Sequence, residues 1–132
     1  LGELLEDAGA QDTLDGKSIQ PEIVSVIHYI NTHYQENITL DAAAGLVHMS
    51  RYHFCRLFGS ATGATFLEYL YNVRLSKVHQ LLLDTRLPLS QIAEKCGFTS
   101  TAHLSRVFRD AYGVSPREFR KSAAEKEPPE QQ

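Results

Sequence analysis

Cysteine is scarce in this chain, and the signatures of membrane insertion are missing. The 132 residues contain two cysteines, Cys55 and Cys96, which are 41 positions apart and form no Cys-x-x-Cys pair. This usage predicts reduced thiols in a cytoplasmic protein. No apolar run approaches the length of a membrane span, and we predict no signal peptide. The sequence therefore predicts no membrane partner.

Metal and catalytic motifs are also lacking. His48 and His53 are five positions apart, which misses the i, i+4 spacing that places two ligands on one helix face, so we predict no metal site. No glycine-rich phosphate loop occurs, and the serines lack the glycine pattern of a nucleophile elbow. We therefore predict that the chain is not an enzyme and uses no cofactor. Strand-like alternation of useful length is absent too, which predicts an all-α protein.

Charge is distributed unevenly along the chain. Residues 1–41 carry a net charge of −7, residues 42–121 carry +6 and residues 122–132 carry −2, which gives −3 overall. A basic central region is what a phosphate-binding surface requires. A moderate positive balance is also common on ordinary surfaces, so charge alone leaves nucleic-acid binding open.

The most informative stretch is LSQIAEKCGFTSTAHLSRVFRDAYGVSPREFRK, residues 89–121. A first helix, Ser90–Cys96, is predicted to end at Gly97, because glycine tolerates the left-handed conformation at a helix end. Thr99 or Ser100 then caps a second helix that ends at Gly113. Ser115-Pro116-Arg117-Glu118 begins a third helix with a capping box.

The second of these helices has two distinct faces. Its apolar face contains Leu104, Val107 and Phe108, and its polar face contains Thr101, Ala102, Ser105, Arg106 and Arg109. Two short helices around a tight turn, the second with a basic outer face, are typical of helix-turn-helix DNA-binding proteins.

The pattern occurs twice. With an offset of 49 residues Leu40 aligns with Leu89, and after one extra residue in the second turn the offset is 50 and Arg56 aligns with Arg106. Most aligned pairs are apolar at helical spacing, which indicates two similar packing units. The two arginines lie beside the apolar stripe, where the fold alone would accept any polar residue. Duplication of a solvated arginine and a shared contact with phosphate or base both account for them.

Taken in order, the chain divides into five predicted segments. Residues 1–19, which begin without methionine and include the linker-like Asp15-Gly16-Lys17-Ser18, form a linker or the end of a missing upstream domain. Residues 20–64 form the first helix-turn-helix lobe, 65–84 a connector helix, 85–121 the second lobe and 122–132 a disordered tail. About seven helices result. The connector's apolar positions favour both of its ends: Phe66, Leu67, Leu70, Val73, Val78, Leu81 and Leu82.

Residues 20–121 resemble the DNA-binding domain of the AraC/XylS family of bacterial transcription regulators. The resemblance is carried by IAEKCGFTSTAHLSRVFRDAYGVSPREFR in the second repeat, and by MSRYHFCRLF, Gly63 and FLEYLYNVRL in and after the first. It implies two homeodomain-like three-helix lobes joined by a long helix, with the two recognition helices in successive major-groove segments. It also implies that double-stranded DNA and RNA polymerase are partners, and that a missing N-terminal domain senses a ligand and dimerises.

The resemblance implies a set of DNA-binding residues on each recognition helix. The first helix offers Ser50, Arg51, Tyr52, Cys55 and Arg56; the second offers Thr99, Ser100, Thr101, Ala102, His103, Ser105, Arg106 and Arg109. Arginine suits a guanine edge or a phosphate, whereas hydroxyls at helix N-termini suit phosphate oxygens. Cys55 and Ala102 are poor partners for bases, so we expect part of the recognition to use methyl contacts or DNA shape. Val78 replaces the alanine usual in the family, which predicts slightly different packing of the connector.

Two alternative functions remain open. A methyl-acceptor role for Cys55 or Cys96, as in DNA-repair regulators with a related domain, would require an activated thiolate. A protein-interaction module, in which the acidic N-terminal segment and first lobe dock a sensor domain or RNA polymerase, would need no DNA-facing arginines.

Overall fold

A computed structural model describes residues 13–14 and 17–125. This part contains seven helices: α1 (Pro21–His33), α2 (Leu40–Leu46), α3 (Arg51–Thr62), α4 (Phe66–Asp84), α5 (Leu89–Lys95), α6 (Thr101–Tyr112) and α7 (Pro116–Glu125). The predicted all-helical architecture with two helix-turn-helix lobes and a long intervening helix is confirmed. In the same described part, no helix combines the length and the apolar character needed to cross a membrane.

The structure adds short strands near the N-terminus and contradicts the prediction for the start of the C-terminal tail. Thr13–Leu14 (β1) and Lys17–Ser18 (β2) pair as short antiparallel strands within residues 1–19, which were expected to be a linker or the end of an upstream domain. Helix α7 continues to Glu125, so residues 122–125 are helical, in keeping with the helix propensity of Ala123 and Ala124. Residues 1–12 and 15–16 of the predicted N-terminal linker and the predicted tail from 126 onward lie outside the described residues.

The helix starts follow local hydrogen-bonding rules. At α4 the Thr65 amide donates to the Glu68 carboxylate at 2.9 Å, and the Glu68 amide donates to the Thr65 hydroxyl at 3.0 Å. Ser115 and Glu118 make the same reciprocal pair at α7, at 2.9 and 3.0 Å. The capping box predicted at Ser115 is therefore confirmed, and α4 begins with a second one at Thr65.

The chain divides into two compact units, Leu1–Asn72 and Val73–Gln132, with the boundary inside α4. The core of the first unit is built from α1 to α3 and the start of α4, and its buried residues include Ile23, Val26, Ile30, Ala43, Ala44, Phe54, Phe58, Phe66 and Leu70. Phe58 is its centre, with ring centroids 5.5 Å from those of Phe54 and Tyr69. Because aromatic rings bury large apolar areas, this cluster fixes α3 against α4.

The second unit has its own core. Its buried residues include Leu75, Val78, Leu82, Ile92, Ala93, Leu104, Phe108 and Pro116. The Phe108 ring lies 5.7 Å from Phe119 of α7 and 4.5 Å from Tyr112. Helix α6 is thereby held with its Leu104 and Phe108 side inward, which leaves the opposite side exposed.

The prediction for α4 is partly wrong. Leu67, one of the apolar positions said to favour the ends of the connector, is 57% exposed, and Leu75, which was not among those positions, is buried. The buried face changes along α4, because its first part packs in one unit and its later part in the other. One apolar stripe therefore does not describe this helix.

Candidate nucleic-acid interface

The turn between α2 and α3 is closed by backbone hydrogen bonds. The amide of Met49 donates to the carbonyl of Ala44 at 3.0 Å, and that of His48 donates to Gly45 at 3.2 Å. His48 has a φ angle of 58°, the only positive value among the non-glycine residues described. These bonds form the Schellman arrangement that ends a helix. The turn directs the chain into Ser50, whose hydroxyl caps α3 by accepting from the His53 amide at 3.1 Å.

The turn between α5 and α6 is built in the same way. The amide of Phe98 donates to the carbonyl of Ala93 at 2.9 Å, and Gly97 has a φ angle of 89°. The predicted cap was Thr99 or Ser100, and the structure assigns it to Ser100, whose hydroxyl accepts from the His103 amide at 3.0 Å. Each unit therefore presents a capped second helix at the same point of the motif.

The outer face of α3 carries most of the residues predicted for the first unit. Phe54 and Phe58 are fully buried, whereas Tyr52 is 72% exposed and both Cys55 and Arg56 are exposed. The guanidinium carbon of Arg56 lies 5.8 Å from the centre of the Tyr52 ring. This cation–π contact places a charge and an aromatic surface side by side in the first half of the helix.

Arg51, at the start of α3, forms a two-point ion pair with Asp41 of α2. Its Nε donates to Asp41 Oδ1 at 3.0 Å and its Nη2 donates to Oδ2 at 2.8 Å. The hydrogen bond and the charge of Arg51 lower the pKa of the Asp41 carboxyl below its ordinary value. Asp41 was not among the predicted site residues. A separation of ten positions across a turn follows no helical period, so no sequence signal indicated this pair.

The outer face of α6 carries the residues predicted for the second unit. Ala102, Arg106 and Arg109 are exposed, and Thr101, His103 and Ser105 are half-buried on the same side. Arg109 Nη2 donates to Glu118 Oε1 at 3.3 Å, which engages one of the predicted cations. Thr99 and Ser100 precede the helix at its exposed N-terminal end. The predicted residues of this unit thus share one exposed side, although Arg109 lies in the last turn of the helix.

His103 is positioned by its neighbours at the start of α6. Its Nδ1 lies 3.3 Å from the Thr99 hydroxyl, and its ring stands edge-on to Phe98 with centroids 5.5 Å apart. Burial, followed by the positive charges of Arg106 and Arg74, lowers the pKa of His103. The neutral ring is therefore favoured, and it can both donate and accept hydrogen bonds.

The two cysteines differ in environment. Cys55 is exposed on α3, whereas Cys96 is buried at the end of α5. Burial raises the pKa of the Cys96 thiol to about 11, which is the opposite of the activation required of a methyl acceptor. No group of three or more His, Cys, Asp or Glu side chains suited to a metal ion occurs in residues 13–14 and 17–125.

Comparison with known proteins identifies relatives with the same architecture. A family model described as "Helix-turn-helix domain" matches residues 43–122. The probable transcriptional regulator LumQ of Photobacterium leiognathi is 34% identical over 97 residues, which cover 74% of this chain and 39% of LumQ. The chain spans less than half the length of curated relatives that it matches, such as LumQ and GbdR of Pseudomonas aeruginosa.

Solved structures give the same result. The DNA-binding domain of AdpA, a global transcriptional factor solved with a target DNA, has a TM-score of 0.79 and 28% identity, covering 83% of this chain and 99% of that one. An AraC-type regulator from Chromobacterium violaceum has a TM-score of 0.73 and 29% identity, covering 92% of this chain and all of that one. Both are more than 25% identical to this chain over most of its length.

Proposed function

Because the chain belongs to the AraC/XylS family of helix-turn-helix regulators, we propose that it binds double-stranded DNA sequence-specifically to regulate transcription. In this proposal α3 and α6 are the recognition helices, and they enter successive major-groove segments as the family resemblance implies. The role is one of binding and not of catalysis. Since the DNA of a bacterial regulator lies in the cytoplasm, the proposed role implies a cytoplasmic location.

The observation that carries this proposal is the equivalence of Arg56 and Arg106. Both are exposed on the outer side of a capped second helix, at matching positions of the two repeats. Each lies two residues after a buried core position, Phe54 or Leu104, so the packing of each helix holds its arginine on the exposed side. Arginine in that position can donate two parallel hydrogen bonds to the O6 and N7 atoms of guanine.

The other predicted residues, with the exception of Arg51, divide into two groups within the proposal. The first group contacts base edges or methyl groups: Tyr52, Cys55, Thr101, Ala102, His103 and Ser105. The second group contacts phosphate: Ser50, Thr99, Ser100 and Arg109. Because the Ser50 and Ser100 hydroxyls already accept backbone hydrogen bonds, their own O–H groups are left to donate to phosphate oxygens.

The proposal extends to the parent protein. The matched region makes up 39% of LumQ and 28% of GbdR, so most of each relative lies outside it. We propose that the parent protein also has a domain that senses a ligand and dimerises. RNA polymerase is a further proposed partner of the parent protein. Binding of DNA by the present chain does not depend on either.

The test is selection of bound duplexes from a random library, followed by titration of the best duplex at several salt concentrations. Two blocks of base preference are expected, one for each recognition helix. Neutralised phosphates release counterions, so affinity should fall steeply with salt, with a slope of several ions. A single block of base preference would show that only one unit recognises sequence. If no sequence is enriched, the protein-docking alternative is favoured.

Arg106→Ala tests the role of the recognition helix in the second unit. It should weaken binding to the selected duplex by about 1–3 kcal/mol and relax the preference at one base position. Arg117→Ala removes the same charge from an exposed position of α7 and is the matched control. If Arg106→Ala weakens binding to the selected and random duplexes equally, Arg106 contacts a phosphate and not a base.

A further inference from the structure

We propose that Asp41 is a positioning residue for base recognition: it orients Arg51 so that the second edge of the guanidinium faces a guanine in the major groove. This inference deepens the proposed function and rests on it. Asp41 itself need not contact DNA. It acts by fixing the rotamer of an arginine at the start of the first recognition helix.

The geometry of the ion pair leaves the required edge available. Arg51 uses Nε and one hydrogen of Nη2 for the two carboxylate oxygens, at 3.0 and 2.8 Å. A guanidinium has five N–H donors, so this side-on contact leaves the Nη1 hydrogens and the second Nη2 hydrogen. One Nη1 hydrogen and the second Nη2 hydrogen project in parallel from the end of the side chain. Parallel donors of this kind match the O6 and N7 acceptors of guanine.

Stability does not account for this pair. The two side chains are 63% and 69% exposed, and ion pairs with such exposure contribute little to folding. The repeat offers a direct comparison, because the positions equivalent to Asp41 and Arg51 are Ser90 and Thr101. The second unit forms the same motif without a charged pair there. The helix-turn-helix fold therefore does not require this pair.

The location also favours a role in recognition. Arg51 follows the cap residue Ser50 and precedes the exposed Tyr52, so it lies at the end of α3 that carries the predicted contacts. A carboxylate near a phosphate-binding surface repels DNA. Holding the arginine in one conformation offsets that repulsion, because less side-chain freedom is lost when the complex forms.

The experiment compares Asp41→Ala with the unaltered chain on two duplexes, the one selected from the library and a random one of equal length. We expect about a fivefold or greater loss on the selected duplex, together with a relaxed preference at one base position. Binding to the random duplex should be unchanged or tighter, because a negative charge is removed. Asp110→Ala makes the same charge change at an exposed position of α6 and should leave all base preferences unaltered.

Variants of the partner separate orientation from charge. Arg51→Lys keeps the charge but lacks the two-edged fork, so it should lose the same base preference while it retains binding to the random duplex. Asp41→Ala combined with Arg51→Ala should lose no more specificity than Arg51→Ala alone. Asp41→Asn preserves the shape of the side chain in the first turn of α2 and should relax the preference at the same base position. It is the control for a folding defect in the alanine variant.

Failure of the positioning role and failure of the proposed function, on which it rests, give different results. If the unaltered chain enriches no sequence, the proposed function fails. If it enriches a sequence and Asp41→Ala keeps every base preference, only the positioning role is overturned. Equally tighter binding of Asp41→Ala to both duplexes would make Asp41 a simple repulsive charge and would also overturn it.

Discussion

His48 and Gly97 occupy the same position in the two helix-turn-helix turns, and both have positive φ angles, 58° and 89°. Each amide donates to a carbonyl three positions earlier, Gly45 for His48 and Glu94 for Gly97. The two turns therefore have the same backbone, but only one has the residue that adopts this conformation at no steric cost. A left-handed conformation costs an L-residue about 1–2 kcal/mol, so the first turn is strained where the second is relaxed.

His48→Gly is expected to stabilise the first unit by up to about 1 kcal/mol, because relief of the left-handed conformation exceeds the larger unfolded-state entropy of glycine. Gly97→Ala should destabilise the second unit by about 1 kcal/mol for the opposite reason. Urea unfolding followed by circular dichroism measures both. A lower midpoint for His48→Gly would show that the imidazole makes a contact that outweighs the strain.

Arg120 is expected to contribute strongly to the stability of the second unit. Its Nη1 donates to the Leu87 carbonyl at 2.8 Å, and its other nitrogens donate to the carbonyls of Leu82, Thr85 and Leu81 at 3.2, 3.1 and 3.4 Å. Arg120→Ala removes a donor from each of these carbonyls, although the Leu81 carbonyl still accepts from the Thr85 amide and hydroxyl, and should cost about 2–3 kcal/mol. Arg117→Ala on the exposed side of the same helix is the control. Indistinguishable urea midpoints for the two variants would contradict this role.

Glu118 should make the second unit sensitive to acid. The Ser115 amide, the Ser115 hydroxyl and Arg109 lower the pKa of its carboxyl, in that order of importance. Because the folded-state pKa lies below the unfolded value of about 4.3, the carboxylate stabilises the fold above that pH, and this contribution disappears as pH falls through the folded pKa. Glu118→Gln should therefore lose less stability than the unaltered chain between pH 7 and pH 3.

The control for this effect is Glu94→Gln, a change at an exposed position of α5. Glutamine at position 118 still serves a capping box, so the variant should remain folded at neutral pH. Urea midpoints at pH 7 and pH 3 give the comparison. The same acid sensitivity in Glu118→Gln and Glu94→Gln would assign the effect to general charge and not to the cap.

Cys96 is expected to resist thiol reagents. It is buried, and its pKa is raised to about 11, so at pH 8 the thiol is both inaccessible and protonated in the folded chain. Cys55 is exposed and should be labelled first by iodoacetamide. Mass analysis of the peptides containing each cysteine measures the two rates. Fast labelling of Cys96 in the folded protein would contradict its burial and reopen the methyl-acceptor alternative.

Features that depend on neighbours in the sequence could be predicted from it. The capping boxes at Thr65 and Ser115, the serine caps of α3 and α6 and the glycine at the end of each recognition helix all follow from hydrogen bonds or φ angles within a few residues. The repeat placed Arg56 and Arg106 on the exposed sides of α3 and α6. The specific contacts that these arginines make with DNA stay a prediction.

Features that depend on distant or irregular contacts could not be predicted. The positive φ angle of His48 is one such feature, because no neighbouring residue indicates that a residue other than glycine adopts this conformation. Arg74 is buried at 6% exposure in α4, whereas charge alone predicts a solvated arginine. The partner of Arg51 lies across a turn on another helix, where no periodicity points to it.

The contacts of Arg120 have a further consequence for the kinetics of folding. They join positions that are 33 to 39 residues apart, whereas the capping boxes join positions three apart. Contacts between distant positions form slowly, because closing a long loop of chain costs entropy. We therefore expect the Arg120 contacts to be absent from the folding transition state, so that their loss accelerates unfolding and leaves the folding rate nearly unchanged. Arg120 would then govern how long the second unit stays folded once it has formed.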